Sequence, residues 1–142
     1  MKSKKTMYYA LSFTWGILMT IAGGCAAAFL ILVKKVKPIK YGPCWCFVYG
    51  TGWGGVSLGP VMIMSKGNSL GVHTKNHEFG HSLQNCVYGP LFPLIVALPS
   101  VCRYNYRNHL EKKGTPPTTD YDAVWFEGQA TKWGYKCIEY FN

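Results

Sequence analysis

Charged residues are scarce in this sequence, and acidic residues are the scarcest of all. Only 15% of the 142 residues are charged, and six acidic residues are set against 15 Lys and Arg. Soluble domains carry about a quarter charged residues, so this deficit favours a membrane protein. A net charge of +9 is also typical of proteins that bind nucleic acid. Here, however, the lysines flank an apolar segment, and attraction to anionic lipid headgroups explains that placement better. We therefore predict membrane lipid as a partner and no nucleic acid.

Regular cysteine spacing is also lacking. The six cysteines are Cys25, Cys44, Cys46, Cys86, Cys102 and Cys137, and none belongs to a C-x-x-C pair. This scatter favours small buried thiols in a reducing compartment over a disulfide framework. If the body is extracytoplasmic, disulfides among the last five cysteines are the alternative.

The first apolar segment lacks charge from Thr6 to Val33. As a helix, the 23 residues Leu11–Val33 would extend ~34 Å, enough for a hydrocarbon layer of ~30 Å. A cleaved signal peptide is the alternative, but the run is longer than a typical signal core and continues past the candidate cleavage points. We predict an uncleaved single-pass anchor in residues 1–40 and a body in residues 41–142. Lysines at both ends leave the orientation close to a tie by the positive-inside rule, and we expect the body on the cytoplasmic side.

The clearest chemical motif is His77-Glu78-Phe79-Gly80-His81. On a helix, His77 and His81 share a face and can bind one metal ion. Glu78 points to the side, where it can accept a proton from a water activated by zinc. The pattern also arises by chance on exposed helices, so a hydrolase requires a third ligand elsewhere in the chain.

The helix that carries the motif should begin near His73 or Thr74 and end near Val87, before Gly89-Pro90. His73 lies one turn before the first motif histidine, on the same face. We favour a packing role for His73 over metal ligation. Gln84 is either a hydrogen-bond partner of a metal ligand or a polar surface residue.

A stripe of small residues with one carboxylate marks a later helix. Thr119 and Asp122 fit a capping box, and the helix should run to about Trp133 with Gly134 as its stop. The stripe consists of Ala123, Glu127, Ala130 and Gly134. Such a stripe packs closely against another helix and turns Glu127 inward, where a buried carboxylate needs a compensating cation. Glu127 is therefore the predicted third metal ligand.

Glycine is frequent from Tyr41 to Ser65, which argues against a helix there. Short strands are predicted at residues 56–58 and 61–64, with a turn at Lys66-Gly67-Asn68. The segment is either a membrane-hugging loop or an edge strand that pairs with an extended peptide. A second apolar segment, Leu91–Pro99, either enters the membrane or packs over the motif helix. The predicted class is α+β, with an N-terminal transmembrane helix and a minimal zincin-like body containing a short β-hairpin and two packed ligand-bearing helices.

At these residues the chain resembles the gluzincins, zinc peptidases whose third ligand is a Glu on a later helix. It is most similar to the membrane-bound type represented by HtpX and the CAAX prenyl proteases. The motif residues that match are His77, Glu78, His81, Glu127 and Ala130. Most of Gly55–Gly134 also resembles small bacterial membrane proteins without an assigned function. The resemblance implies Zn²⁺ as cofactor and a peptide or protein as substrate.

The chain departs from the gluzincin pattern in its supporting residues. Thr131 stands where those enzymes usually have an Asp that supports a zinc ligand. No family-matched residue identifies the group that stabilises the oxyanion. The side chains chemically able to do so are Arg103, His109, Tyr121 and Tyr135.

The predicted function is a membrane-anchored zinc metallopeptidase in which Glu78 acts as the general base. The alternative is a non-catalytic zinc-binding membrane protein that acts as an interaction module. An intramembrane protease of the site-2 kind fits less well, because its motif lies in a membrane helix and its later ligand is usually an Asp.

Overall fold

The computed structural model describes residues 2–67 and 71–141, which form an α+β fold. The helices are α1 (Lys2–Phe13), α2 (Ile17–Leu32), α3 (Val72–Tyr88), α4 (Leu98–Lys112) and α5 (Trp125–Ile138). The strands are β1 (Ile39–Tyr41), β2 (Cys44–Val48), β3 (Gly55–Leu58) and β4 (Val61–Met64). Short 3-10 turns at Gly89–Leu91 and Tyr121–Ala123 and a π-helical turn at Pro93–Ala97 complete the described elements. The predicted α+β class is confirmed.

The four strands form one mixed sheet in the order β1-β2-β4-β3. β3 and β4 are the predicted hairpin, in which Val56 pairs with Ile63. Gly59 turns the chain between them with φ +62°, a conformation that glycine adopts without steric cost. β2 pairs in parallel with β4 and antiparallel with β1, and neither β1 nor β2 was predicted. The predicted turn at residues 66–68 lies partly outside the described residues.

The predicted continuous helix over Leu11–Val33 is wrong, because the chain turns by 92° between α1 and α2. Asn85 occupies the space beside Gly16, where a Cβ would lie 2.4 Å from its Nδ2 atom. Thr20 Oγ1 fixes the turn by donating a hydrogen bond to the carbonyl oxygen of Ser12 at 2.6 Å.

Within the described residues, no single helix is both long and apolar enough to cross a membrane. Two bent pairs meet the length and composition requirement only when their helices are taken together. They are Ser3–Phe13 with Ile17–Leu32 and Val72–Leu91 with Pro93–Lys112.

The contact between α3 and α5 is the closest helix packing around the motif. A Cβ at Gly80 would lie 1.8 Å from the carbonyl oxygen of Ala130, and one at Gly134 would lie 1.7 Å from that of Asn76. Both glycines therefore permit the backbones to touch. The prediction for α3 is confirmed to within about two residues, which is the usual uncertainty of helix ends.

The predicted boundaries of the later helix are wrong at both ends. Residues 121–123 form a 3-10 turn, and α5 begins only at Trp125, without a side-chain cap. The predicted stop at Gly134 lies inside the helix, which continues to Ile138. Gly134 does not end the helix. Because glycine has no side chain, the α3 backbone can pack directly against α5 at this position.

The second apolar segment divides between the core and the surface. Phe92 and Val96 are buried with Phe126, whereas Leu94 and Leu98 are more than half exposed.

All six cysteines are free thiols, three of them buried in the core. This agrees with the prediction of small buried thiols for Cys44, Cys46 and Cys86, while Cys25 and Cys102 are exposed.

Candidate metal centre

Three predicted ligands from two helices converge on one point. His77 and His81 lie one turn apart on α3, and Glu127 lies on α5, which packs against that face. Nε2 of His77, Nε2 of His81 and Oε2 of Glu127 form a triangle whose sides are each 3.1 Å. Among the described residues this is the group of His, Cys, Asp and Glu side chains close enough to hold a metal ion.

Each histidine is oriented through its other ring nitrogen. Nδ1 of His77 lies 2.8 Å from Oγ1 of Thr131 and 4.0 Å from Oδ1 of Asp122. Thr131 therefore occupies the supporting position that the sequence left in doubt. A hydroxyl does here what a carboxylate does in many metal sites, and the second nitrogen faces the ligand triangle.

Gln84 orients the other histidine, as one of its two predicted roles requires. Its Oε1 lies 2.7 Å from Nδ1 of His81. Its Nε2 donates to the carbonyl oxygen of Phe126 and to Oε1 of Gln129, at 2.8 and 2.9 Å. These two donations turn the amide oxygen toward His81. Nδ1 of His81 must then carry the proton, which leaves Nε2 with a lone pair for a metal.

Glu127 is fully buried and is held in its charged form. Burial by itself opposes ionisation, but the contacts with His77, His81 and Ser100 outweigh it and hold the pKa of the Glu127 carboxyl well below its usual range. Ser100 Oγ donates to Oε1 at 2.5 Å, so Oε2 alone faces the histidines. The carboxylate is thus arranged to give one oxygen to a metal ion.

Glu78 is buried beside the triangle and borders open space. Its side chain is 5% exposed, and burial raises the pKa of the Glu78 carboxyl although His81 and His77 oppose the shift. It lines two cavities of about 470 and 370 Å³ together with His77. A Cβ at Gly55 would lie 2.8 Å from Oε1 of Glu78, so β3 passes directly over the carboxylate. Glu78 therefore borders open space next to the three converging side chains.

Tyr121 is the one of the four oxyanion candidates that lines both cavities. Its ring centroid lies 6.0 Å from that of His77, and its hydroxyl interacts with Ser100 and Glu127. Arg103 is engaged differently, because Nη2 donates to the carbonyl oxygens of Asp120 and Tyr121 at 3.0 and 3.1 Å. It therefore positions the turn that carries Tyr121.

His73 and Tyr135 pair with each other outside the ligand triangle. His73 Nδ1 lies 3.2 Å from the Tyr135 hydroxyl, and the His73 ring stacks 6.3 Å from the ring of His77. His73 is thus not one of the converging ligands. His109, on the outer face of α4, does not line either cavity.

Ser100 and Asp122 are site residues that sequence reasoning did not assign. Ser100 directly follows the second apolar segment, Leu91–Pro99, and was given no role at a metal site. Asp122 was assigned to a helix cap, but the turn that contains it faces His77 instead.

Comparison with protein-family models, with curated proteins and with solved structures found no match for this chain.

Proposed function

We propose that this chain is a membrane-associated zinc metallopeptidase, with His77, His81 and Glu127 as metal ligands and Glu78 as general base. The observation that carries the proposal is the triangle of ligand atoms beside a buried carboxylate that borders a cavity. A histidine pair alone is common on helices. A third, fully buried carboxylate that closes on the same point is not expected without a cation to neutralise it.

The spacing and chemistry of the ligands fit zinc. A tetrahedral ion with bonds of about 2.0–2.1 Å keeps its ligand atoms about 3.3–3.4 Å apart. The observed separations of 3.1 Å require only a small outward movement. Two imidazoles and one carboxylate are also the ligand set of catalytic zinc sites that keep a fourth position open for water or substrate.

The chain's own residues supply proton transfer and positioning. Bound zinc would supply an activated water and a Lewis acid for the peptide carbonyl. With zinc bound, Glu78 would accept a proton from that water and donate it to the nitrogen of the departing amine. Its raised pKa favours this work, because a carboxyl that ionises nearer neutral pH is a stronger base. Tyr121 is the side chain placed to donate a hydrogen bond to the carbonyl oxygen as charge develops there.

A peptide substrate is supported by the position of β3. This strand is at the edge of the sheet, and it passes over Glu78 at Gly55. An extended peptide that adds to an edge strand gains main-chain hydrogen bonds and lies in one register. Pairing along β3 would place one peptide bond of the substrate beside the carboxylate.

The test combines metal content with hydrolysis. Detergent-purified protein should contain one zinc per chain by elemental analysis, and Glu127→Ala should lose it. Glu78→Gln should keep the zinc and lose hydrolysis of a peptide library by more than a hundredfold, because general-base catalysis contributes roughly 10²–10⁴-fold. Glu111→Gln, an exposed change on α4, is the matched control and should match wild type.

Two outcomes would contradict the proposal. Protein without stoichiometric zinc would exclude the metal site. Zinc that is present and depends on Glu127, with peptide hydrolysis that is absent from wild type, would support the non-catalytic interaction module instead.

A further inference from the structure

Two helix bends lie side by side at one end of the described structure. The first, at residues 14–16, joins α1 to α2 at 92°, and the second, at Phe92, joins α3 to α4 at 119°. Trp15 Nε1 donates a hydrogen bond to the carbonyl oxygen of Val87 at 3.1 Å, and its indole lies directly over Gly89. The two bends therefore present one continuous surface.

This surface, which we call the apolar cap, consists of large hydrophobic side chains that face outward. Its members are Trp15, Leu18, Val87, Leu91, Leu94 and Trp125. Each is 51–65% exposed, and Trp125 joins the others through the ring of Tyr88 at 6.1 Å. No Lys, Arg, Asp or Glu lies within ten residues of Leu91. Within ten residues of Trp15, the single such residue is Lys5. Soluble proteins rarely expose an apolar patch of this kind without a partner.

Lysines flank the first bent pair on both sides in the sequence. These basic flanks are Lys4 and Lys5 before the bend and Lys34, Lys35, Lys37 and Lys40 after it. Lys40 Nζ is 3.1 Å from the hydroxyl of Tyr9, which lies one helical turn after Lys5. The chain that leaves α2 therefore returns to α1 at Tyr9. A partner with an apolar interior and an anionic surface matches both features, and a bilayer has both.

The lengths of α1 and α2, the two arms of the first bend, match the depth of one lipid leaflet. Two arms that diverge at 92° each lie about 45° from the membrane normal when their apex points inward. The 16 residues of α2 then rise about 17 Å, and the segment from Trp15 back to Lys5 rises about 11 Å. Half of a ~30 Å hydrocarbon layer is about 15 Å. Both basic flanks thus reach the headgroups on the side from which the apex entered.

We propose that the apolar cap inserts into one leaflet of a bilayer, so that the chain enters and leaves the membrane on the same face. This inference extends the membrane association within the proposed function and does not depend on the zinc chemistry. It also explains why the positive-inside rule gave a tie, since both basic flanks belong to the cytoplasmic face. A bent but complete span would place the flanks on opposite faces, which the contact between Lys40 and Tyr9 opposes.

Thiol labelling tests the shared face. Ser3→Cys and Lys37→Cys, both at exposed positions, are made separately in a chain in which the exposed Cys25 and Cys102 are alanine. A membrane-impermeant maleimide is applied to inverted and to right-side-out vesicles. Both cysteines should react in inverted vesicles and be protected in right-side-out vesicles. Reaction of the two cysteines in opposite preparations would overturn the proposal. Glu78→Gln should give the same pattern, so a failure here is distinct from a failure of the peptidase proposal.

Tryptophan quenching tests the insertion of the cap itself. The protein is reconstituted into phosphatidylcholine–phosphatidylglycerol vesicles whose acyl chains carry bromine. Trp15→Phe with Trp125→Phe should remove more than half of the bromine-dependent quenching. Trp53→Phe with Trp133→Phe, at partly buried positions outside the cap, should keep it. Equal quenching in the two double variants would overturn the proposal, as would a dimer whose cap tryptophans are not quenched, because the cap would then join two copies of the chain.

Discussion

At the scale of single residues, the candidate metal centre depends on neutral partners where a carboxylate is usual. Thr131 and Gln84 contact the outer nitrogens of the two histidines at 2.8 and 2.7 Å. Such contacts fix the ring orientation and the tautomer before a metal arrives. Oδ1 of Asp122 also faces Nδ1 of His77, but at 4.0 Å it is beyond hydrogen-bond distance. The hydroxyl of Thr131 therefore carries the orientation of His77.

Replacement of that hydroxyl should weaken metal binding. Thr131→Val keeps the shape of the side chain and removes its oxygen, so we expect zinc affinity to fall roughly 10–100-fold. Competition with a chromophoric chelator measures the change. Thr131→Ser, which keeps the hydroxyl, should remain within a fewfold of wild type. Unchanged affinity in the valine variant would show that Asp122, and not Thr131, orients His77.

At the scale of elements, the site depends on how closely α3 approaches α5. Gly80 stands between the two histidine ligands and faces the backbone of Ala130. A glycine at this position costs about 1 kcal/mol of helix propensity relative to alanine. The close approach that it permits brings Glu127 within 3.1 Å of both histidines. Helix stability is thus lowered locally where the ligand geometry requires it.

Gly80→Ala should therefore destabilise the protein, although alanine favours helix. The new Cβ would lie 1.8 Å from the Ala130 oxygen, and overpacking of this kind costs about 1–3 kcal/mol or more. Zinc affinity should fall with stability, because α5 must move away with Glu127. Thermal unfolding and chelator competition measure the two effects.

Gly24→Ala is the matched control for that substitution. Gly24 is also inside a helix, but nothing lies within 4 Å of its Cβ position. Its replacement should be neutral or slightly stabilising, because only helix propensity changes. An equal loss of stability in the two variants would show that close packing at Gly80 is not the cause.

The elements that the sequence predicted well are those with a local pattern. The motif on α3, the small-residue stripe on α5 and the β3–β4 hairpin all have short-range spacing that fixes their class. The three candidate ligands were chosen from the same spacing, and the structure brings them together. The ends of α5 were wrong because Gly134 is determined by the Asn76 backbone opposite, a contact that the local sequence does not encode.

Elements that depend on distant contacts could not be predicted in the same way. The parallel pairing of β2 with β4 joins segments separated by the β3 strand. The bend before α2 depends on Asn85, about 70 residues away. Ser100 reaches Glu127 only because the chain turns by 119° before α4. In each case the missing information was the packing partner, and the residue types alone were not informative.

At the scale of the whole molecule, the candidate metal centre joins segments that are far apart in the chain. α3 supplies two ligands, α5 supplies the third, and α4 holds that third ligand through Ser100. Glu127 is fully buried, and without a cation its charge is balanced by its contacts with the histidines and with Ser100. A bound zinc ion should therefore stabilise the packing of all three helices together, and not only the motif.

Removal of zinc should accordingly lower the thermal stability of the entire protein. Zinc at a thousandfold excess over its Kd stabilises the folded state by about 4 kcal/mol. A domain of this size shifts its Tm by roughly 2–4 °C per kcal/mol, so we expect chelation to lower Tm by about 10 °C. Differential scanning fluorimetry in detergent, with and without a chelator, measures the shift, and added zinc should restore it. His81→Ala should show no response to zinc or chelator, because two ligands do not join α3 to α5 tightly. A wild-type Tm that is indifferent to zinc would mean that the three side chains converge without holding a metal.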